Sequence, residues 1–393
     1  MILPLYGTAV LNHGFGAESP RVVARLRSLG TNEPSDGHDF YVVRSDTELV
    51  RSIEEKRSSI FVINDDVSLA GSAVSAFDRV LSVSAKFEYL RSGDVVGVHV
   101  PTGRFRTLFR SNSRHNSFLV TERCNNYCLM CSQPPKDVDD RWILDEIRES
   151  LPLLPKSTPT LTFTGGEPLS DWARFIDILA DCRDLHPDTA IQVLTNGRAF
   201  ASSEIVDAWK AVNHPSLIAA IPVYASVDYI HDYVVQAKGA FDETILGILK
   251  LKDRGQRVEV RVVLHAHTAP TIAETSRWIS RNLPFVDHVA LMGMENTGFA
   301  IANENSLWID PMDYRESLSE GVRTLADTGI NVSIYNLPRC VLDASIWPYA
   351  VQSISDWKNG YVEECRRCIE KSKCSGLFTS GRPRQSRGIR AIQ

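Results

Sequence analysis

The 393-residue sequence contains no apolar run long enough to span a membrane. Its opening residues, Met1–Gly7, lack the positively charged segment and the long apolar stretch of a secretory signal peptide. The formal net charge of -5 and the isoelectric point near 6.1 show no basic excess, which argues against a dedicated nucleic-acid-binding surface. From these absences we expect a soluble, cytoplasmic protein that binds neither membranes nor nucleic acids.

Evenly scattered cysteines, which would suggest a disulfide framework, are also lacking. Seven of the eight cysteines fall into two groups, and clustered cysteines in an intracellular protein more often bind metal. The eighth, Cys182, continues the apolar face of a predicted helix that begins at Ser170. We therefore interpret Cys182 as a small buried hydrophobic residue.

The first group is Cys124, Cys128 and Cys131, in a C-x3-C-x2-C spacing just after the apolar run Phe118–Val120. A strand is therefore predicted to deliver these cysteines to a loop at its carboxyl end. Three neighbouring thiolates can hold three irons of a cubane cluster, which leaves the fourth iron open to a ligand. The alternative is a structural zinc site.

A second motif combines a predicted strand, Thr160–Thr164, with the residues Gly165, Gly166 and Glu167. Glycines let the backbone approach a ligand closely, and a carboxylate or a carbonyl can accept hydrogen bonds from an ammonium group. The simpler alternative is that these glycines only turn the chain.

Together, the two motifs resemble the signature of the radical S-adenosylmethionine (SAM) superfamily. The resemblance implies that the three cysteines hold a 4Fe-4S cluster, that SAM chelates its open iron, and that the Gly-Gly-Glu turn receives the SAM amino group. It further implies an enzyme in which one electron, from a donor such as flavodoxin or ferredoxin, cleaves SAM to methionine and a 5'-deoxyadenosyl radical. That radical would abstract hydrogen from the substrate.

Strand and helix patterns alternate through residues 113–336, which is typical of parallel βα units. The predicted fold is α/β: a partial (β/α)6 TIM-like barrel with its active site at the carboxyl ends of the strands. The predicted strands are Phe118–Thr121, Thr160–Thr164, Ala190–Leu194, Leu217–Tyr224, Val258–His265, His288–Met292 and Val332–Tyr335. The predicted helices are Arg141–Leu151, Asp171–Asp184, Thr244–Arg254, Thr271–Asn282 and Pro311–Asp327.

Residues 1–112 are predicted to form a mixed α/β or β-rich accessory domain, for which the sequence indicates no chemistry. Four arginines precede the predicted strand that leads to the first cysteine group: Arg104, Arg106, Arg110 and Arg114. We interpret them as a solvated strand face rather than as a surface that steers an acidic peptide.

Further candidate residues follow the predicted strands. Asn196, Ser226 and Asp228 resemble positions of peptide-modifying superfamily members, where the fourth-strand residues lie near the ribose and carboxylate of SAM. For Ser226 and Asp228, an ordinary strand-end cap is the alternative. Met130 stands where relatives often place an aromatic residue that packs on adenine, and a thioether is apolar enough to substitute. His265 and His267 either face the pocket or hydrogen-bond to neighbouring loops.

The second cysteine group is Cys340, Cys365, Cys368 and Cys374 within residues 337–393. It resembles a shortened auxiliary-cluster region of SPASM or twitch-type radical SAM enzymes. Four thiolates can saturate one 4Fe-4S cluster, and they equally satisfy tetrahedral zinc. The basic stretch Ser380–Arg390 is poor in apolar residues and is predicted to be a disordered tail.

A narrower resemblance rests on several segments and links the chain to maturases of the His-Xaa-Ser repeat system. It implies a peptide-modifying enzyme with a His-Xaa-Ser repeat polypeptide as substrate and a second radical SAM maturase as a possible partner. Two alternatives remain open: a radical SAM enzyme acting on a small metabolite or RNA, and a non-catalytic metal-scaffolded binding protein. The segments that carry the resemblance are Cys124–Pro135, Ala240–Asp242, Asn282–Met292, Trp347–Pro348 and Ser355–Trp357.

Overall fold

The structure is a computed structural model that describes residues 4–12, 14–15, 20–31, 34–65, 75–352, 359–378 and 384–393. Ser355–Trp357, which contributed to the narrower resemblance, lie outside the described residues. Within the described part of the chain, no helix is long and apolar enough to cross a membrane.

The amino-terminal region folds into a mixed eight-stranded sheet with the order β1-β8-β7-β3-β4-β5-β6-β2 and one described helix, α1 (Asp46–Glu54). Strands β3 to β6 run parallel, and β1, β2, β7 and β8 pair antiparallel with their neighbours. The sheet consists of β1 (Tyr6–Thr8), β2 (Val10–Leu11), β3 (Arg21–Arg27), β4 (Asp39–Val43), β5 (Ser59–Ile63), β6 (Arg79–Val83), β7 (Val95–His99) and β8 (Arg104–Phe109).

A second sheet contains seven parallel strands arranged in chain order, as in a partial TIM-like barrel. The first six strands are each followed by helical structure, so the sheet consists of six βα units and a seventh strand. The strands are β9 (Asn116–Leu119), β10 (Thr160–Thr164), β11 (Ala190–Leu194), β12 (Leu217–Pro222), β13 (Arg257–Leu264), β14 (His288–Gly293) and β15 (Val332–Tyr335).

Helices cover one face of this sheet, and the main apolar core lies between the two layers. In β13, Val258, Val260, Val262 and Leu264 are buried in that core, because alternate residues of a strand point to one side. The helices are α2 (Trp142–Ser150), α3 (Trp172–Leu185), α4 (Ser203–Val212), α5 (Asp228–Val235), α6 (Ala240–Asp253), α7 (Ile272–Asn282), α8 (Phe299–Ala302), α9 (Glu304–Leu307) and α10 (Arg315–Asp327).

The opposite face of the barrel strands carries a polar network. Glu259 of β13 accepts hydrogen bonds from Gln192 of β11 at 3.2 Å and contacts the Nδ1 atom of His288 in β14 at 2.9 Å. His288 Nε2 lies 2.9 Å from the Ser333 hydroxyl of β15. Four strands are thus tied together across the inside of the barrel.

The seven predicted barrel strands are confirmed with shifts of up to two residues at their ends. Helix α3 begins at Trp172 rather than Ser170, because residues Pro168–Asp171 form a 3-10 turn. Helices α4, α5, α8 and α9 were not among the predicted helices. Cys182 is fully buried in the main core, as expected.

The interpretation of the four arginines as a solvated face is wrong for two of them. Arg106 donates from Nε to Glu146 Oε2 at 2.6 Å, and Arg21 joins the same buried carboxylate at 3.5 Å. Arg110 is also buried, near the ring of Tyr89. Because Glu146 lies on α2, this cluster attaches the amino-terminal sheet to the barrel.

The carboxyl-terminal residues fold mainly as 3-10 turns and a two-stranded ribbon, β16 (Asn359–Gly360) with β17 (Leu377–Phe378). The prediction of a disordered tail is wrong for residues 384–393, which have defined hydrogen bonds and packing contacts. Residues 379–383 lie outside the described part of the chain.

Candidate active site

The first cysteine group lies on the loop that follows β9, at the carboxyl end of the parallel sheet. Cys124, Cys128 and Cys131 are half-buried. The Cys131 N–H donates to Cys128 O at 3.0 Å, and the Asn126 N–H donates to Cys124 Sγ at 3.4 Å. These short-range bonds curl the loop so that its sulfur atoms lie near one another.

Burial raises the pKa of the Cys128 thiol to about 12, and the neighbouring Cys131 and Cys124 sulfurs add to the effect. Burial likewise raises the pKa of Cys124 to about 11, with Glu167 and Cys131 contributing. These thiols are therefore protonated at neutral pH, and a bound metal group would displace their protons.

The Gly-Gly-Glu turn after β10 lies directly against the cysteine loop. The Gly166 N–H donates to Thr121 O at 2.7 Å, and the Glu167 N–H donates to Arg123 O at 2.8 Å. A Cβ atom at Gly166 would lie only 1.9 Å from Arg123 O, and one at Gly165 only 2.4 Å from Thr121 O. Both positions require glycine because backbone meets backbone there.

Glu167 is buried, and its carboxylate points toward the end of β11. It accepts from Thr195 Oγ1 at 2.6 Å, from the Asn196 N–H at 2.7 Å and from the Leu169 N–H at 3.0 Å. Burial raises the pKa of Glu167, and these hydrogen bonds oppose the shift. Three of the roughly four acceptor positions of the carboxylate are thus used within the protein.

Asn196 connects the turn after β11 to the cysteine loop. Its Nδ2 atom donates to Asn125 Oδ1 at 2.6 Å, and its Oδ1 atom accepts from the Arg198 N–H at 3.0 Å. Arg198 in turn donates to Asn126 Oδ1 at 2.7 Å. Arg198 was not predicted as a site residue, because a lone arginine in the sequence carries no signal of a partner 72 positions away.

Ser226 and Asp228 follow β12 at the same edge of the sheet. Ser226 Oγ donates to Glu274 Oε1 at 3.4 Å. Asp228 is exposed, stands at the first position of α5 and accepts from the Tyr229 N–H at 2.7 Å. Both residues retain acceptor capacity for a ligand.

Met130 is buried beneath the cysteine loop rather than displayed on its surface. It packs in an apolar cluster with Tyr224, Val234 and Val235. The end of α5 also holds the loop, because the Tyr127 N–H donates to Val235 O at 3.0 Å and the Leu129 N–H donates to Val234 O at 2.9 Å.

The segment after β14 covers the other side of the loop. The Phe299 N–H donates to Cys131 O at 2.8 Å, and Asn303 Nδ2 donates to Leu129 O at 2.8 Å.

His265 and His267 lie behind the loop near Tyr224. Their ring centroids are 5.8 Å apart. The Nε2 atoms of both histidines are buried and have no hydrogen-bond partner among the described residues. Burial lowers the pKa of His265 to about 3, so its ring is neutral at physiological pH.

The second cysteine group converges on one cavity of about 380 Å³, partly open to solvent, which Cys340, Cys365, Cys368 and Cys374 all line. Cys374 Sγ accepts from the Arg339 N–H at 3.4 Å and from the Gly376 N–H at 3.5 Å. The cavity joins the end of the barrel to the carboxyl-terminal region, because Cys340 follows β15.

A groove of about 840 Å³ opens next to this cavity, along the carboxyl ends of β13, β14 and β15. Pro338, Leu377 and Ile389 line both spaces. Met294 and Leu307 belong both to the groove and to the apolar cluster that contains Met130. The groove therefore lies between the two cysteine groups.

Across the described residues, no three histidine, cysteine, aspartate or glutamate side chains are arranged to hold a single metal ion. Residues 118–279 match the family model described as the radical SAM superfamily. This stretch carries a radical SAM domain. Such a domain implies a SAM-binding 4Fe-4S cluster, and the matched stretch contains the three neighbouring cysteines Cys124, Cys128 and Cys131.

No curated protein matches the sequence. Among solved structures, SuiB of Streptococcus suis bound to S-adenosylmethionine matches with a TM-score of 0.46 and 13% identity over 57% of this chain and 51% of SuiB. A radical SAM methyltransferase from Sphaerobacter thermophilus matches with a TM-score of 0.44 and 15% identity over 62% of this chain and 73% of the methyltransferase. The match to SuiB thus spans about half of that protein's length.

Proposed function

We propose that the chain is a radical SAM enzyme that modifies a peptide. The observation that carries this proposal is the half-buried cysteine loop at the carboxyl ends of parallel strands, clamped by a turn in which both glycines are sterically required. When bound, the 4Fe-4S cluster supplies one electron to SAM, which yields methionine and a 5'-deoxyadenosyl radical that abstracts hydrogen from the substrate.

The roles proposed for the chain's own residues follow from their positions. Cys124, Cys128 and Cys131 would hold the cluster, and the main-chain carbonyls of Gly165 and Gly166 would accept hydrogen bonds from the SAM amino group. Ser226 and Asp228 follow the carboxyl end of β12, and both have hydrogen-bond acceptors that no protein group uses fully. They are proposed to contact the ribose of SAM. Glu167 and Asn196 act by positioning the loop, because their polar atoms already bind protein groups.

The groove beside β13, β14 and β15 is the proposed substrate site. It lies between the two cysteine groups, and it combines apolar walls with the amides of Asn296 and Asn336. Side-chain amides can pair with the main chain of an extended peptide. The resemblance to His-Xaa-Ser maturases suggests a His-Xaa-Ser repeat polypeptide as the peptide.

The carboxyl-terminal cysteines are proposed to hold an auxiliary 4Fe-4S cluster. All four cysteines line one cavity. Four thiolates can saturate one cubane cluster, and zinc is the chemical alternative for four thiolate ligands. In this arrangement residues 1–112 are an accessory domain, 113–336 the radical SAM barrel and 337–393 the auxiliary region.

The proposal is tested by anaerobic reconstitution with iron and sulfide, followed by incubation with SAM, a reductant and the repeat peptide. We expect 5'-deoxyadenosine and a change in peptide mass, and Cys128→Ala should abolish both. Cys182→Ala, which alters a buried cysteine in the helical layer, is the matched control and should keep both.

Three outcomes separate the alternatives. Deoxyadenosine formed by Cys128→Ala would contradict the cluster assignment. SAM cleavage without peptide modification would favour a small metabolite or RNA as substrate. Zinc without sulfide at both cysteine groups would favour a non-catalytic scaffold.

A further inference from the structure

The carboxyl-terminal segment 384–393 is held against the barrel at Asp310. Ser386 Oγ donates to Asp310 Oδ1 at 2.5 Å, and the Arg387 N–H donates to Asp310 Oδ2 at 3.0 Å. Asp310 is buried, and its Oδ1 atom also accepts from the Met312 N–H at 2.9 Å. A buried carboxylate satisfied by donors from a distant segment is a specific anchor.

Beyond this anchor, the segment packs into the protein. A Cβ atom at Gly388 would lie 2.4 Å from Met312 Sδ, so the segment packs directly against Met312 at that point. Ile389 packs against the main core. These contacts direct the last residues toward the second cysteine group.

The end of the segment forms one wall of the four-cysteine cavity. Ile389, Arg390 and Ile392 line it. The Ile392 N–H donates to Cys368 Sγ at 3.5 Å, and the main chain of Arg390 hydrogen-bonds to Cys340. In return, the Ile369 N–H donates to Ile392 O at 3.1 Å. The segment therefore contacts two of the four cysteines directly.

Hydrogen bonds to cluster sulfurs and exclusion of solvent both tune an iron-sulfur centre, because they stabilise its negative charge and limit attack by oxidants. Two apolar residues and two main-chain donors at this wall provide both effects. We propose that residues 384–393 are an integral part of the four-cysteine site: they close its cavity and donate hydrogen bonds to Cys340 and Cys368.

The inference extends the proposed function, and its first test does not depend on a cluster. Metal-free, reduced protein is treated with iodoacetamide, and the alkylation of each cysteine is followed by peptide mass spectrometry. In a variant that ends at residue 383, we expect Cys340 and Cys368 to react about tenfold faster. Cys124, Cys128 and Cys131 serve as internal references and should keep their rates.

Unchanged rates at Cys340 and Cys368 would overturn the inference. An equal increase at all seven cysteines would also overturn it, because that result indicates general unfolding rather than an opened cavity. The full-length variant Asp310→Asn guards against a folding defect of the truncated chain. It weakens the anchor, and we expect the same two cysteines to react faster.

A second measurement probes the hydrogen bond from Ile392. Ile392→Pro removes this main-chain donor together with the Ile392 side chain, and Ile392→Ala, which loses the side chain but keeps the donor, is the matched control. After reconstitution, we expect Ile392→Pro to shift the midpoint potential of the auxiliary centre to more negative values in an EPR-monitored titration. Equal potentials in the two variants would contradict the role of the donor.

If the reconstituted site holds zinc, the titration shows no redox transition, because zinc is redox-inactive. The proposal of an auxiliary iron-sulfur cluster at that site is then wrong. The alkylation result on metal-free protein still decides whether the segment closes the cavity. The two failures are therefore distinguishable.

Discussion

Glu167 joins its own turn to the end of β11 through a single buried carboxylate. Replacing it by glutamine puts an amide N–H₂ group against donors that need acceptors, so at least one hydrogen bond is lost in a buried site. We expect Glu167→Gln to lower the free energy of unfolding by about 1–3 kcal/mol. Urea denaturation monitored by circular dichroism measures this change. The exposed Glu88→Gln is the control, and equal midpoints for both variants would contradict the role of Glu167.

Gly166 has no space for a side chain, because the nearest atoms belong to the backbone of Arg123. We expect Gly166→Ala to displace the cysteine loop and to cost about 1–3 kcal/mol of stability. The amount of iron and sulfide bound after anaerobic reconstitution should decrease by the amount in one 4Fe-4S cluster, the one proposed at Cys124, Cys128 and Cys131. Gly37→Ala is the control, since a Cβ atom there has nothing within 4 Å. Normal iron content in Gly166→Ala would refute the steric argument.

His231 couples stability to pH. Burial lowers the pKa of His231 from 6.5 to about 4, although the negative charge of Asp232 opposes this shift. The Nδ1 atom of His231 accepts a hydrogen bond from the Tyr224 N–H at 3.2 Å. Because the folded-state pKa lies below the unfolded value, the stabilisation is complete above pH 6.5 and is lost as the pH falls toward 4.

We expect this histidine alone to reduce the free energy of unfolding by roughly 2 kcal/mol between about pH 7 and about pH 5. Urea titrations at both pH values measure the change, and His231→Asn should remove that part of it. The exposed His115→Asn should behave as wild type. A wild-type slope in His231→Asn would show that another group is responsible.

At the scale of elements, the cysteine loop is held from both sides by segments that follow different strands. The end of α5 contacts it through main-chain hydrogen bonds, and the α8–α9 segment contacts it through Phe299 and Asn303. Loops that bind ligands are commonly the least stable part of a fold, so such supports decide how well the ligands are preorganised.

Asn303→Ala tests the second support. Removing its donor to Leu129 O should cost about 1 kcal/mol and should raise the alkylation rate of Cys131 in metal-free protein. Thermal denaturation and peptide mass spectrometry follow the two effects. Asn282→Ala is the matched control, because its amide donates only within its own helix, to Trp278 O. Identical Cys131 rates in the two variants would mean that the segment does not constrain the loop.

At the scale of the whole molecule, the amino-terminal sheet is attached to the barrel through Glu146. This buried carboxylate lies between Arg21 and Arg106, and the Arg21 guanidinium lies 3.0 Å from the centroid of the Trp142 ring. Breaking a buried ion pair by removing one partner leaves uncompensated charge, which is strongly destabilising.

Glu146→Ala should therefore lower the free energy of unfolding by about 3–5 kcal/mol. We also expect the amino-terminal sheet to unfold separately from the barrel, so that fluorescence and circular dichroism transitions no longer coincide. Glu149→Ala, an exposed change on the same helix, is the control. A Glu146→Ala protein as stable as the control would contradict the attachment.

The sequence by itself determined the alternation of strands and helices, the spacing of the first three cysteines and the glycine turn. These features depend on neighbouring residues: apolar periodicity reports which face of a strand or helix is buried, and short spacings bring ligands together without help from the rest of the chain. The seven barrel strands were therefore predicted to within two residues at each end.

Only the tertiary structure decided where the polar side chains point. Glu167 turns toward Thr195, 28 positions away, and Arg198 reaches Asn126 across 72 positions. The carboxyl-terminal segment was predicted to be disordered from its composition, yet Asp310, 76 positions before Ser386, holds it in place. Contacts at such separations leave no local periodicity in the sequence, because they arise from packing between elements that are far apart in the chain.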